Sequence, residues 1–495
     1  MNEQTTFRPK ARLPRGFKDR DEAELAAERR MLDTIRRVYS SYGFQALETS
    51  SLEYTDALGK FLPDLDRPNE GVFSFKDDEG QWVSLRYDLT APLARYVAEN
   101  FQALPKPFRR YQMGTVWRNE KPGPGRFREF TQFDADTVGT ASPAADAELL
   151  MMCADSLEAL GLKRGDYVVK LNSRKLLDGV LEAAGVAISD RTRRGIVLRA
   201  VDKLDRLGVA GVRALLGAGR KDESGDFTRG ADLDPEQAAR VLAFVAPENP
   251  GADNEAVLAA LSETVRGSAI GEAGIADLKE IIRILSIAGY GADRVRIDSG
   301  IVRGLEYYTG AVFEAQLTFP VTNEQGEAVV FGSVGGGGRY DDLIARFTGQ
   351  SVPASGISIG VSRLLAALRA RSGAEVWATE PLIVVLVLDK GTIAESFRIA
   401  QELRAAGLRA EAYVGESGMK AQLKYADRRG AAIAVIEGGD ERARGEVQVK
   451  DLVLGAELAK STESRAAWVK DRPAQQTIKR DQLVPAIRTM LARGG

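Results

Sequence analysis

The stretch FRRYQMGTVWRNEKPGPGRFREFTQFDAD, residues 108–136, holds two β-rich runs on either side of a Pro/Gly loop. Two such runs about a turn-forming loop predict an antiparallel hairpin. Successive residues of a strand point to opposite faces, so Phe130, Gln132, Asp134 and Asp136 share one face of the second arm. An aromatic ring, an amide and two carboxylates on one sheet face suit a ligand platform better than a core. Arg118 ends the first arm and Arg126 the loop, and guanidinium forks match phosphate oxygens. A solvated sheet face with ordinary ion pairs is the alternative reading of the same pattern.

Upstream, Glu22–Tyr42 predicts an amphipathic helix with Leu25, Leu32, Ile35, Tyr39 and Tyr42 on one stripe and Gly43 as its stop. A strand in QWVSLRYDL precedes a helix that starts near Pro92, with Thr90 as the expected cap. Downstream, Ser142 and Pro143 open a helix that Gly161 closes. From about Ser173 to Gly291 helical stretches alternate with polar loops, the texture of a helical insertion. Strands resume at DRVRIDSGIVRGLEYYTGAVFEAQL, then at AVVFGSVGGGG, and SGISIGVSRLLAAL places Arg363 in the first turn of a helix. Gly335–Gly338 imply close backbone approach of either a ligand or a neighbouring strand, and neither a Walker loop nor a dinucleotide fingerprint is present.

Residues 381–495 read as a separate α/β domain. Strand LIVVLVL leads into a helix opened by Thr392 and Glu395 and closed at Gly407, and alternating strands and helices predict a mostly parallel sheet. The domain organisation expected is therefore 1–172 and 292–375 as two parts of an α+β unit with an antiparallel sheet, 173–291 as a helical insertion, and 381–495 as an α/β domain.

With 495 residues and a net charge of −2, the chain is not held to nucleic acid by bulk charge, although the C-terminal domain has an excess of Lys and Arg. It contains no histidine, which removes Ser-His-Asp catalysis, a histidine base and histidine-ligated metal. Cys153, the one cysteine, lies in an apolar helical stretch and reads as a buried small hydrophobe. The N-terminal residues lack the apolar core of a secretion signal and no run reaches membrane-spanning length, so a soluble, cytoplasmic protein without a membrane partner is expected.

Taken together these residues resemble the class II aminoacyl-tRNA synthetases and, within them, the histidyl-tRNA synthetase family. The long first helix is similar to motif 1, usually a dimer interface, residues 108–136 to motif 2, and GISIGVSRLL to motif 3. RGLEYYTG (303–310) and SVGGGGRYDDL (333–343) resemble the two histidine-specific peptides, and LRYDLTAPLARY and GMKAQLKYADRRGAAIAVIEGGDE fit the same family. The resemblance implies ligation of histidine to its transfer RNA, by a homodimer with a C-terminal anticodon-binding domain. ATP is then a substrate, with Mg2+, and no cofactor or metal is tightly bound.

The resemblance also implies roles. Arg118 would hold the ATP α-phosphate, Arg126 and Arg363 the γ-phosphate, Phe130 would stack on adenine and Glu120 would fix its end. Asp88, Thr90 and Gln132 would bind the α-amino and carboxylate groups of histidine. Asp136 and Tyr308 would hydrogen-bond the imidazole, with Tyr307 and Gly335–Gly338 as pocket wall. Arg303 would face the α-phosphate where charge builds up. Glu306 stands where the family usually has Asp, and Asn119 and Thr131 stand where many relatives carry histidine. Loop residues 121–124 lack the Gln that many bacterial members use near an extra 5′ guanosine of the tRNA. A non-catalytic relative, the regulatory subunit of ATP phosphoribosyltransferase, keeps the fold but normally lacks the C-terminal domain and several of these arginines.

Overall fold

The computed structural model describes residues 9–58, 71–122, 127–221, 226–246, 253–301, 308–322, 328–372, 380–388, 391, 393–461 and 474–492. The chain divides into two compact units, residues 1–377 and 378–495.

The first unit is built on an eight-stranded sheet. Its strands are β1 (Gln45–Ala46), β2 (Phe108–Trp117), β3 (Glu129–Val138), β4 (Tyr167–Ser173), β5 (Val295–Ile297), β6 (Ala311–Leu317), β7 (Ser333–Arg339) and β8 (Ala354–Gly360). The spatial order is β1-β2-β3-β8-β7-β6-β4-β5. Only the two outermost pairings, β1 with β2 and β5 with β4, are parallel. The expected hairpin is β2–β3, paired without a slip from Phe108 opposite Val138 to Trp117 opposite Glu129. Register then carries β3 onto β8, Gln132 opposite Gly360, Asp134 opposite Ser358 and Asp136 opposite Gly356.

The period of two divides β3 cleanly. Phe133 and Ala135 are fully buried in the main hydrophobic cluster, while Gln132, Asp134 and Asp136 face the other side. Helix α1 (Glu22–Ser41) covers the apolar side, capped by Asp21, whose side chain accepts from the Glu24 N–H at 2.8 Å. Its buried line runs through Ala27, Glu28, Met31, Ile35 and Tyr39, so the stripe is rotated from the expected one and Leu25 and Leu32 lie at its margin. Tyr39 meets Phe133 edge-on with ring centroids 5.0 Å apart. Glu28 is tolerated in this line because Arg20 pairs with it and the Thr131 hydroxyl donates to it.

Helix α2 (Thr90–Asn100) differs from the expectation in its cap. Thr90 is the first helical residue, and the Asp88 carboxylate accepts from the Ala91 N–H at 2.9 Å. Helix α3 (Pro143–Ala159) starts behind Ser142 as expected and buries Cys153 completely, which pushes the thiol up to about 12 and leaves it inert. Between β4 and β5 run the helices from Arg174–Ala183 to Ala269–Ile287, and their apolar residues join the same cluster as α1 and the sheet. Helix α4 (Val361–Ser372) follows β8 directly.

The second unit has strands β9 (Leu382–Val385), β10 (Ala410–Ala412), β11 (Ala431–Ile436), β12 (Glu446–Asp451) and β13 (Gln475–Lys479), in the order β10-β9-β11-β12-β13. Helices α5 (Ile393–Ala405), α6 (Met419–Arg428) and α7 (Leu483–Leu491) accompany them. The sheet is mixed rather than mostly parallel, because β11–β12 and β12–β13 are antiparallel. The link from β11 to β12 is shorter than the dozen or so residues a parallel crossover takes, so the chain turns back. The expected cap Thr392 lies outside the described residues.

Candidate active site

Above the polar face of β3 opens a cleft of about 720 Å3, bounded by the β2–β3 hairpin, the start of α2, strands β7 and β8 and the first turn of α4. Asp88, Thr90, Arg118, Glu120, Phe130, Gln132, Tyr308, Gly335, Gly336 and Arg363 all line it. Residues from five separate segments of the sequence thus converge on one space. Arg126, Arg303, Glu306 and Tyr307 lie outside the described residues.

At one end the guanidinium of Arg118 stands 5.1 Å from the Phe130 ring centroid and donates to the Tyr87 carbonyl at 3.1 Å. The stack and the hydrogen bond hold a cation beside an open aromatic face. Arg363, in the first turn of α4, donates to the Phe331 carbonyl at 2.6 Å and reaches the cleft from the opposite side. Ser362 ties that turn to β3 by accepting from the Thr131 N–H at 3.0 Å.

Deeper in, the site is rich in acceptors. Gln132 donates to Ser358 Oγ at 2.8 Å, and its own Oε1 has no hydrogen-bond partner among the described residues. Asp88 has its carboxyl pushed up by burial. Asp136 does not line the cleft. It sits behind, 2% exposed, with Arg110 Nη2 2.8 Å from its Oδ2 and the Tyr340 hydroxyl donating to its Oδ1. Residue 356 facing it must be glycine, since a Cβ there would lie 2.0 Å from Asp136 Oδ1. Burial raises the Asp136 carboxyl against the opposing pull of Arg110.

The glycine run resolves both ways. A Cβ at Gly337 would lie 2.1 Å from the Gly356 carbonyl, a strand-packing requirement, whereas Gly335 and Gly336 also line the cleft. Asp134, Phe331, Ser333, Ser358 and Ser362 also line it and carried no assigned role from the sequence. For Asp134 the signal was there, since the alternation that selected Gln132 and Asp136 passes through it.

A largely antiparallel sheet with a cation-and-ring end and an acceptor-rich end in one cleft over its hairpin fits the class II aminoacyl-tRNA synthetases. The histidyl-tRNA synthetase family matches residues 16–364, and the anticodon-binding domain family matches residues 382–490. A histidine–tRNA ligase of Brucella abortus is 58% identical over 485 residues, covering 97% of this chain and 96% of the relative. One of Caulobacter vibrioides is 57% identical over 487 residues, covering 98% of each. The crystal structure of histidyl-tRNA synthetase from Nostoc sp. PCC 7120 superposes with a TM-score of 0.72 at 29% identity, covering 97% of this chain and all of that one. The chain belongs to the histidyl-tRNA synthetase family.

Proposed function

We propose that the cleft over β3 is where ATP and histidine meet, each held at one end. The chain is a histidine–tRNA ligase: histidine is activated by ATP to an adenylate, releasing pyrophosphate, and is then passed to tRNA. The observation that carries the reading of the cleft is the lining itself, with Arg118, Phe130 and Arg363 at one end and the acceptors of Gln132 and Asp88 at the other. Phe130 stacks on adenine, Glu120 fixes its edge, and Arg118, Arg126 and Arg363 hold the phosphates. Asp88, Thr90 and Gln132 bind the amino and carboxylate groups, Tyr308 and Asp136 hydrogen-bond the imidazole, and Tyr307 walls the side-chain pocket. Arg303 faces the α-phosphate.

The histidine carboxylate attacks the α-phosphorus in line, the bond to the bridging oxygen breaks, and pyrophosphate departs. The 3′-hydroxyl of the terminal tRNA ribose then attacks the adenylate carbonyl and AMP leaves. Both steps need alignment and cations facing the developing charge more than a protein base, which is why a histidine-free site suffices. Magnesium fits as an ion brought in by the nucleotide. The described residues hold no cluster of three or more metal-ligating side chains, and Mg2+ usually keeps its waters and binds through phosphates. Bound there, it would neutralise phosphate charge beside Glu120.

The partner RNA is the histidine tRNA, read through residues 381–495, with 1–172 and 292–375 as the catalytic domain and 173–291 as its insertion. The matched anticodon-binding domain disfavours a purely regulatory relative. Homodimerisation is supported by the three-stranded sheet of Leu52–Tyr54, Ser74–Lys76 and Trp82–Leu85, which leaves Tyr54 50% and Phe75 48% exposed. No described helix is long and apolar enough to cross a membrane, in keeping with a cytoplasmic enzyme. ATP–pyrophosphate exchange with each of the twenty amino acids tests the reading: only histidine should support it, and exchange driven by another amino acid overturns it.

A further inference from the structure

Arg86 has no assigned role, yet it is a guanidinium taken out of water two residues before Asp88. It is 3% exposed, and its donors go to main-chain carbonyls: Nε to Thr115 at 3.0 Å, Nη1 to Thr49 at 2.9 Å and to Ser50 at 3.5 Å. Burying a charge is costly unless hydrogen bonds replace the lost water, and three carbonyls do so here. Room for the group is made in the hairpin. A Cβ on Gly114 would overlap Arg86 Nη2, and Gly114 stands opposite Gln132 in the β2–β3 register.

What the side chain fixes is the span that follows it. The main chain of Arg86 is pinned on both sides, its N–H donating to the Ser51 carbonyl at 3.0 Å and its carbonyl accepting from the Trp117 N–H at 3.0 Å. Arg118 Nε then donates to the Tyr87 carbonyl at 3.1 Å, and the Tyr87 hydroxyl donates to the Leu58 carbonyl at 3.0 Å. The next residue is Asp88, which lines the cleft together with Arg118. One peptide unit therefore joins the arginine at the phosphate end to the carboxylate at the amino-acid end.

We infer that Arg86 is a positioning residue that stiffens the 86–88 span, so that the ATP and histidine ends of the cleft are set together. The inference rests on Arg118 holding ATP and Asp88 holding histidine. A phosphate that draws on the Arg118 guanidinium fixes the Tyr87 carbonyl and with it the Asp88 carboxylate. Whichever substrate arrives first orders the span, and the second meets it already ordered, so each tightens the other. Linkage requires the factor to be the same in both directions.

The test is calorimetric titration of the full chain with histidine, with and without Mg2+ and the α,β-methylene analogue of ATP, which cannot be cleaved at the α–β bond. In the natural enzyme the analogue should tighten histidine at least about fivefold, and histidine should tighten the analogue by the same factor. In Gly114→Ala and in Arg86→Met that ratio should fall below about twofold. A merely structural role would weaken each substrate alone and leave the ratio unchanged. Gly114→Ala keeps the test open should Arg86→Met fail to fold, since the atoms nearest the new methyl are the flexible end of the Arg86 side chain and Leu89 Cδ2, the latter at 3.7 Å. Equal histidine affinity with and without the analogue in the natural enzyme, or a ratio still above that bound in either folded variant, overturns the role of Arg86. Histidine that binds under neither condition, or another amino acid that binds in its place, would instead sink the reading of the cleft.

Discussion

Arg110 shows what one residue contributes when it is out of reach of water. It is fully buried, its guanidinium lies 2.8 Å from Asp136, and it donates to the Leu89 carbonyl at 2.9 Å. Removing one partner of a buried pair leaves an uncompensated charge and costs about 3–5 kcal/mol. Here the cost is aggravated because Asp134 and Asp88 are close and of the same sign. Arg110→Met should therefore lower the Tm markedly, and adding Asp136→Leu should restore most of it. A wild-type Tm for the single variant would show that the pair does not hold the floor of the cleft. Sequence alternation put Asp134 and Asp136 on one face, but nothing in it told the carboxylate that lines the cleft from the one behind it. That distinction is made by Arg110, Tyr340 and Gly356, which come from other strands and loops.

Among elements the β2–β3 hairpin contributes the most residues to the cleft and was the most legible, because one period and one turn specify it. Its partners were less so. Helix α1 buries a line through Ala27 and Met31 that includes Glu28, paired with Arg20. The mixed C-terminal sheet was in principle readable, from the short link between β11 and β12. At the start of the hairpin loop Lys121 and Pro122 line the cleft, and residues 123–126 lie outside the described residues. A Pro/Gly loop without a glutamine offers few side-chain donors to a nucleotide base. Charging of tRNA transcripts with and without an extra 5′ guanosine should accordingly differ by less than about tenfold, or ~1.4 kcal/mol. A hundredfold preference for the longer transcript would rule this out.

At the scale of the whole molecule, the absence of histidine from all 495 residues bears on how the enzyme is replaced. When charged histidyl-tRNA runs low, ribosomes stall at histidine codons, and a chain that needs none continues to be made. Adding several histidine codons at exposed positions away from the cleft should slow synthesis of the altered chain relative to the natural one under histidine starvation, read by pulse labelling. Equal synthesis rates would remove the idea. The same absence left the chemistry to arginines, carboxylates and backbone, and it is one of the things the chain settled alone. So is the hairpin, because local period, turn chemistry and residue type act over short stretches of chain. What only the tertiary structure decided is where these groups sit: Asp88 bonded to the first turn of α2, Asp136 behind Gly356, Asp134 on the wall of the cleft. Burial and partnership are properties of segments far apart in the chain, and they exist only once the sheet has brought those segments together.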